Sequence, residues 1–171
     1  SLEQGSSRPS EYATASSMSS AAFNEYIDSK IVGEPLSAEQ ENQLFRTILD
    51  ADAEGLRRAA SGLSRLEVFF PPLTGEDREA LMTVAWPIFD ELRSKHSITH
   101  MYFIAPDGKV LLRVHKPDQY GDILDRATFL QAAATKEMAS GLEMGKNFFS
   151  LRCVTPILVD GNLLGYLEVA E

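Results

Sequence analysis

Ile98-Thr99-His100-Met101-Tyr102-Phe103-Ile104-Ala105-Pro106-Asp107-Gly108-Lys109-Val110-Leu111-Leu112-Arg113-Val114-His115 is the stretch on which the fold turns. Before it, apolar residues recur every three or four positions. Within it they crowd into two runs, rich in β-branched and aromatic side chains, on either side of Pro106-Asp107-Gly108. That change of period puts helices before residue 97 and a sheet after it. Asp-Gly between two such runs is a strong hairpin signal, because a tight hairpin turn needs positive φ. The signal returns at Asp160-Gly161, which joins runs at 148–159 and 162–169. Between the hairpins, a polar loop over 116–125 leads into a helix over 126–138, and Gly141 and Gly145 bracket a short segment at 142–144. Segregated helices and hairpins predict an α+β fold: a five-stranded antiparallel sheet with one face covered, one central helix and long N-terminal helices.

Working back from Ile98, Ser37-Ala38-Glu39-Gln40 is a capping box for a helix striped by Phe45, Leu49, Ala53, Leu56, Ala60 and Leu63. That helix is expected to end before Pro71-Pro72. Thr74 is then expected to cap a further helix carrying Leu81, Val84, Ile88 and Leu92, kinked at Pro87. A thinner stripe (Tyr12, Met18, Ala22, Tyr26) predicts another helix over 11–31, and residues 1–10 carry no periodicity. The chain divides accordingly into a helical region, 1–96, and a sheet-containing core, 97–171. Stripes this thin suggest helices that pair across a homodimer.

The 171 residues suffice for one well-buried core, and 44% hydrophobic with 24% charged residues is ordinary for a globular chain. A net charge of −9 repels nucleic acid and anionic headgroups, so no nucleic-acid partner is expected. No apolar run approaches membrane-spanning length and no signal peptide is visible. With one cysteine, Cys153, and three histidines in no ligand pattern, neither a disulfide nor a metal site is expected. Cys153 reads as a small buried hydrophobe and Phe129, Met138 and Met144 as core residues, and no cofactor motif occurs. The polar start at Ser1 and the stop after a strand at Glu171 suggest a segment whose membrane anchors lie outside this chain.

Taken in order, Tyr102–Val110, then Asp125-Arg126-Ala127-Thr128-Phe129, then the hairpin from Thr155-Pro156-Ile157 through Asp160-Gly161 to Gly165, resemble the PAS-like module of the Cache sensors. Those are ectodomains of bacterial chemoreceptors, histidine kinases and cyclic-di-GMP enzymes. The resemblance covers 98–171, with Thr128 where many Cache domains place Tyr or Trp. It implies a non-enzymatic sensor core at 97–171, on the periplasmic or extracellular side of a bacterial inner membrane, with 1–96 as dimerisation and signal helices.

The resemblance also implies that Arg126, opening the central helix, faces a bound carboxylate. From strand alternation, Arg113 and His115 share one face, opposite Val110, Leu112 and Val114, while Arg152 shares a face with Ser150 and Val154. On a sheet covered on one side, such arginines equally suit the wet face, and Arg126 equally suits an ion pair with Asp122 or Asp125. The candidate ligand-binding residues are therefore Arg126, Arg113, Arg152, Tyr102, His115 and Glu143, for a small anion such as a carboxylate, since the guanidinium fork matches two carboxylate oxygens. Tyr102 equally suits simple packing and Glu143 an outward turn. A dimerisation or protein-interaction module of the same fold is the alternative function, and a Cys153/His115 hydrolase lacks a glycine turn beside the cysteine.

Overall fold

The computed structural model describes residues 36–144 and 148–171. The helix expected over 11–31 lies outside the described residues. Helix α1 spans Ala38–Leu63 and opens as the capping box demands: Ser37 Oγ accepts from the Gln40 amide at 3.2 Å, and the Gln40 side chain accepts from the Ser37 amide at 2.9 Å. A 3₁₀ turn, Glu67–Phe69, leads into a short helix α2, Phe70–Thr74. Pro71-Pro72 lie inside that turn of helix, where a missing amide costs nothing. The cap of the next helix, α3 at Arg78–His96, is accordingly Asp77 and not Thr74, with Asp77 Oδ1 accepting from the Ala80 amide at 3.0 Å. Helix α3 continues through Pro87 and ends on Ser97 at φ 60°.

Strands β1 (His100–Ile104), β2 (Val110–Arg113), β3 (Ala139–Met144), β4 (Phe149–Val159) and β5 (Asn162–Ala170) form one antiparallel sheet in the order β2-β1-β5-β4-β3. Helix α4, Ala127–Thr135, crosses between β2 and β3. It is shorter than expected because Lys136 takes a left-handed conformation, φ 56°, and closes it. Both Asp-Gly turns are present, with Gly108 at φ 91° and Asp160 and Gly161 at φ 50° and 77°. The segment expected between Gly141 and Gly145 is part of β3, a full edge strand paired to β4 along its length.

Two irregularities set which way side chains point. Phe103 pairs with Leu112 and Ile104 with Val110, so Leu111 is an extra residue, a β-bulge. The bulge turns Val110 to the same side as Arg113 and sends Leu111 and Leu112 together to the other, which overturns the simple alternation expected of Val110 and Leu112. A second shift lies between Ile157 and Leu158, opposite Gly165. A side chain at Gly165 would run into the Ile104 carbonyl, so the close approach of β1 to β5 requires glycine there.

The sheet is covered on both faces, not one. Helices α1, α2 and α3 and the 3₁₀ turn between α1 and α2 pack Leu56, Leu63, Phe69, Leu73, Leu81 and Phe89 on Met101, Phe103, Leu112, Cys153, Leu167 and Val169. Each large side chain buried this way contributes about 1.5–3 kcal/mol. Leu49 and Ala53 pack on the same cluster. The stripe of α1 from Leu49 to Leu63 is thus directed at the sheet. The opposite face is covered by α4 and its preceding loop, through Leu124, Phe129 and Ala132 on Tyr102, Ile104, Val110, Val154 and Tyr166. Cys153 and Phe129 are buried as expected, whereas Met144 is 63% exposed.

Candidate ligand-binding site

The polar residues of the α4 face fall into line because of strand register. Tyr102 of β1 stands beside Arg113 of β2 and beside Glu168 of β5. One row on, His100 neighbours Ala170, Ala170 neighbours Arg152 of β4, and Arg152 neighbours Gly141 of β3. Glu143 stands opposite Ser150. Arg126, the N-cap residue of α4, reaches down onto this surface. The six candidates thus share one face, and neither Arg113 nor Arg152 lies on open surface, their side chains being 12% and 6% exposed.

Glu168, absent from the candidates, is the centre of the cluster. Its carboxylate is buried on the central strand and accepts from Arg152 Nη1 at 2.6 Å and from Arg126 Nη2 at 2.8 and 2.9 Å. The signal was in the sequence: a glutamate inside Leu163-Leu164-Gly165-Tyr166-Leu167-Glu168-Val169-Ala170 has no water to face and must be paired. Contrary to one of the expected pairings, Asp122 does not pair with Arg126. It forks onto Arg113 with two bonds of 2.7 Å, and Arg113 also donates to the Gln119 carbonyl at 2.9 Å, tying down the loop after β2. That hydrogen-bonded pairing holds the Asp122 carboxyl below and the Arg113 guanidinium above their ordinary ranges.

Glu143 turns inward. Its Oε1 accepts from the Thr128 amide at 2.7 Å, so a carboxylate from the edge strand caps the first turn of α4. Its Oε2 lies 3.9 Å from Arg152 Nε and has no hydrogen-bond partner, and Arg126 Nε is likewise buried without one. Burial alone would lower the Arg126 pKa. The charge of Glu168, then Tyr102 and Glu143, outweigh it and the net shift is upward.

An aromatic wall closes one side. The Tyr102 ring lies under both guanidiniums, 5.0 Å from Arg113 Cζ and 5.1 Å from Arg126 Cζ. His115 meets Tyr102 at 5.0 Å and His100 at 4.5 Å, edge to face, and its Nδ1 accepts from the Met101 amide at 3.3 Å. Burial first, and then neighbouring charge, lower His100 to about 4 and His115 to about 3, so both rings are neutral at pH 7. Burial likewise pushes the Cys153 thiol up to about 12, which leaves it no thiolate for nucleophilic attack. Chemically, the face offers fixed donors and acceptors around buried ion pairs. Among the described residues, no group of His, Cys, Asp and Glu is placed to hold a metal ion, and no helix is long and apolar enough to cross a membrane.

None of the curated proteins matches the sequence. Solved structures do share the fold. A domain described as belonging to a sensory box/GGDEF family protein from Vibrio parahaemolyticus is 19% identical with a TM-score of 0.55, over 75% of this chain and 57% of that one. The periplasmic domain of Vibrio cholerae LuxQ is 14% identical, TM-score 0.52, over 78% of this chain and 63% of that one. The Escherichia coli DcuS sensor domain is 15% identical, TM-score 0.51, over 70% of this chain and 90% of that one. The chain thus spans less than two thirds of the first two, and at such identities the likeness is one of fold. Residues 36–171 match the sequence profile of dCache_3, the double sensory domain of two-component sensor kinase, and the chain belongs to that family.

Proposed function

We propose that this sensory domain works outside the cytoplasm as the ligand-binding part of a transmembrane receptor, and that its ligand is a small molecule bearing a carboxylate. The observation that carries the reading is the pair of unsatisfied buried atoms, Arg126 Nε and Glu143 Oε2. Buried polar atoms nearly always have partners, and a donor and an acceptor left open on one polar surface fit a ligand that supplies the complements. Arg126 contacts the carboxylate. Arg152 and Arg113 hold the counter-charges in place, Tyr102 and His115 form the wall, and Glu143 takes a donor on the ligand. Two or three charge-assisted bonds, less desolvation and ordering, amount to about 4–8 kcal/mol, a millimolar to micromolar sensor.

Binding shifts the balance between two arrangements of α4 and the sheet, and the helical region 1–96 passes the shift to membrane segments outside this chain. A homodimer through that region uses surfaces other than the α1 stripe. The test is calorimetry of the chain against a panel of organic acids and amino acids. Arg126→Ala abolishes binding with the fold still cooperative, and Arg126→Lys weakens it by losing the fork. If no member of the panel binds, or if binding survives Arg126→Ala, the reading is wrong. The pairing of Arg113, Arg126 and Arg152 with carboxylates of the chain favours, as second reading, a protein-interaction module with no small ligand.

A further inference from the structure

Glu168 lies where a carboxylate between two guanidiniums would lie, and it is delivered by the sheet itself. The two arginines hold it differently. Arg152 comes from the neighbouring strand, is 6% exposed and makes the shorter bond, 2.6 Å. Arg126 comes from the cap of α4, outside the sheet, and is 25% exposed. It spreads a single nitrogen over both Glu168 oxygens, and its Nε, one arm of the fork, is buried with no partner. A guanidinium binds a carboxylate best through two parallel N–H bonds, so Arg126 is under-used where it stands. Arg152 alone, being buried beside Glu168 on paired strands, keeps that carboxylate neutralised when Arg126 leaves.

We infer that Glu168 is a tethered occupant of the site, and that a carboxylate from solution enters by taking Arg126 away from it. The exchange leaves no buried charge alone: Glu168 stays with Arg152, and the incoming carboxylate gains the Arg126 fork. What changes is mechanical. The side-chain tie between the start of α4 and the central strand β5 opens, while the Glu143 bond to the Thr128 amide stays as the pivot. The inference rests on the reading of Arg126 as a ligand contact, and adds that the site selects ligands able to outcompete an internal carboxylate.

Glu168→Ala removes a CH₂–COO⁻ end, a piece the size of acetate, so acetate is the probe. By calorimetry on the 171-residue chain, Glu168→Ala binds acetate at least tenfold more tightly than the unaltered chain, acetamide does not bind, and adding Arg126→Ala removes the gain. Equal affinity in both chains, or a gain that persists without Arg126, overturns the inference. Should Glu168→Ala be unfolded in chloride buffer, circular dichroism decides: acetate must refold it where acetamide does not, and failure to refold overturns the inference as well. The two readings fail separately. An unaltered chain that binds nothing from the panel, beside an acetate gain in Glu168→Ala, removes the proposed ligand and keeps the occupant. A carboxylate bound through Arg126 with no acetate gain in Glu168→Ala does the reverse.

Discussion

Strand β1 sends Met101 and Phe103 to the helices and His100, Tyr102 and Ile104 to α4, and the two sets live in different chemistry. On the helix side, Phe103 is fully buried and meets Phe69 edge to face at 4.9 Å, among Leu, Ala and Val. Contacts there are non-directional, so any side chain of about the right volume serves. On the α4 side the same strand stands in a row of ion pairs, where Arg152, Glu168 and Arg126 fit at hydrogen-bond distance or not at all. The first face holds the domain together. The second ties the start of α4 to the sheet through directional bonds, Arg126 to Glu168 and the Thr128 amide to Glu143.

Truncation and charge loss should separate the faces most sharply. Phe103→Ala is expected to cost about 3–5 kcal/mol in urea unfolding, from lost transfer and a residual cavity. Arg152→Met should cost a similar amount, about 3–5 kcal/mol, because it leaves buried Glu168 with Arg126 alone. The triple variant Arg126→Met/Arg152→Met/Glu168→Leu, which leaves no member of the triad unpaired, should then recover most of that loss, since apolar side chains of similar volume replace a buried ion cluster at little cost. No second substitution on the helix face restores Phe103→Ala without refilling its volume. A triple variant as unstable as the sum of its parts would erase the proposed difference between the faces.

Acid should drive the faces in opposite directions. His100 and His115 have folded pKa values of about 4 and 3 against an ordinary 6.5, so the unfolded chain takes their protons first. Their contribution is intact above pH 6.5 and is lost as pH falls from there towards 4 and 3, on the order of a few kcal/mol for each ring. On the helix side, Glu171 lines a hollow of about 410 Å³ with Asp52, Leu92 and His96. Burial, and then the charge of Asp52, raise Glu171 to about 7 from 4.5, so the folded chain takes that proton first and gains stability as pH falls from 7 to 4.5. Urea unfolding between pH 7.5 and 4.5 should therefore show less acid loss for His115→Gln than for the unaltered chain, and more for Glu171→Gln. Equal slopes for all three would mean that neither the His115 site nor the Glu171 hollow differs from water.

The helix face was legible in the sequence almost residue by residue, because it rests on period alone: Leu56, Ala60 and Leu63 recur as a helix requires, and Met101 and Phe103 alternate as a strand requires. The polar face was legible as a set of residues but not as a network. Alternation placed Arg113, His115 and Arg152 correctly, yet who pairs with whom depends on which strands are neighbours. Glu168 meets Tyr102 only because β5 lies between β1 and β4. The bulge at Leu111 escaped for a related reason, since an extra residue leaves no mark on a run of three apolar side chains, Val110-Leu111-Leu112.

The smallest expected effect tests whether charge at the edge of the polar face matters beyond its hydrogen bond. Glu143→Gln keeps an oxygen for the Thr128 amide, 2.7 Å away in the unaltered chain, and keeps the volume. What it removes is a negative charge near the positive end of α4 and 3.9 Å from Arg152 Nε. A carboxylate at a helix N-terminus is worth about 0.3–1 kcal/mol, and the distant contact to Arg152 adds little, so the loss should stay near 1 kcal/mol. Glu143→Ala forfeits the cap bond as well and should cost about 1–2 kcal/mol. The ratio matters more than either value. If Gln costs as much as Ala, the charge does the capping and the start of α4 is held electrostatically. If Gln costs nothing, the hydrogen bond suffices, and Glu143 contributes its charge to whatever enters the site and not to the fold.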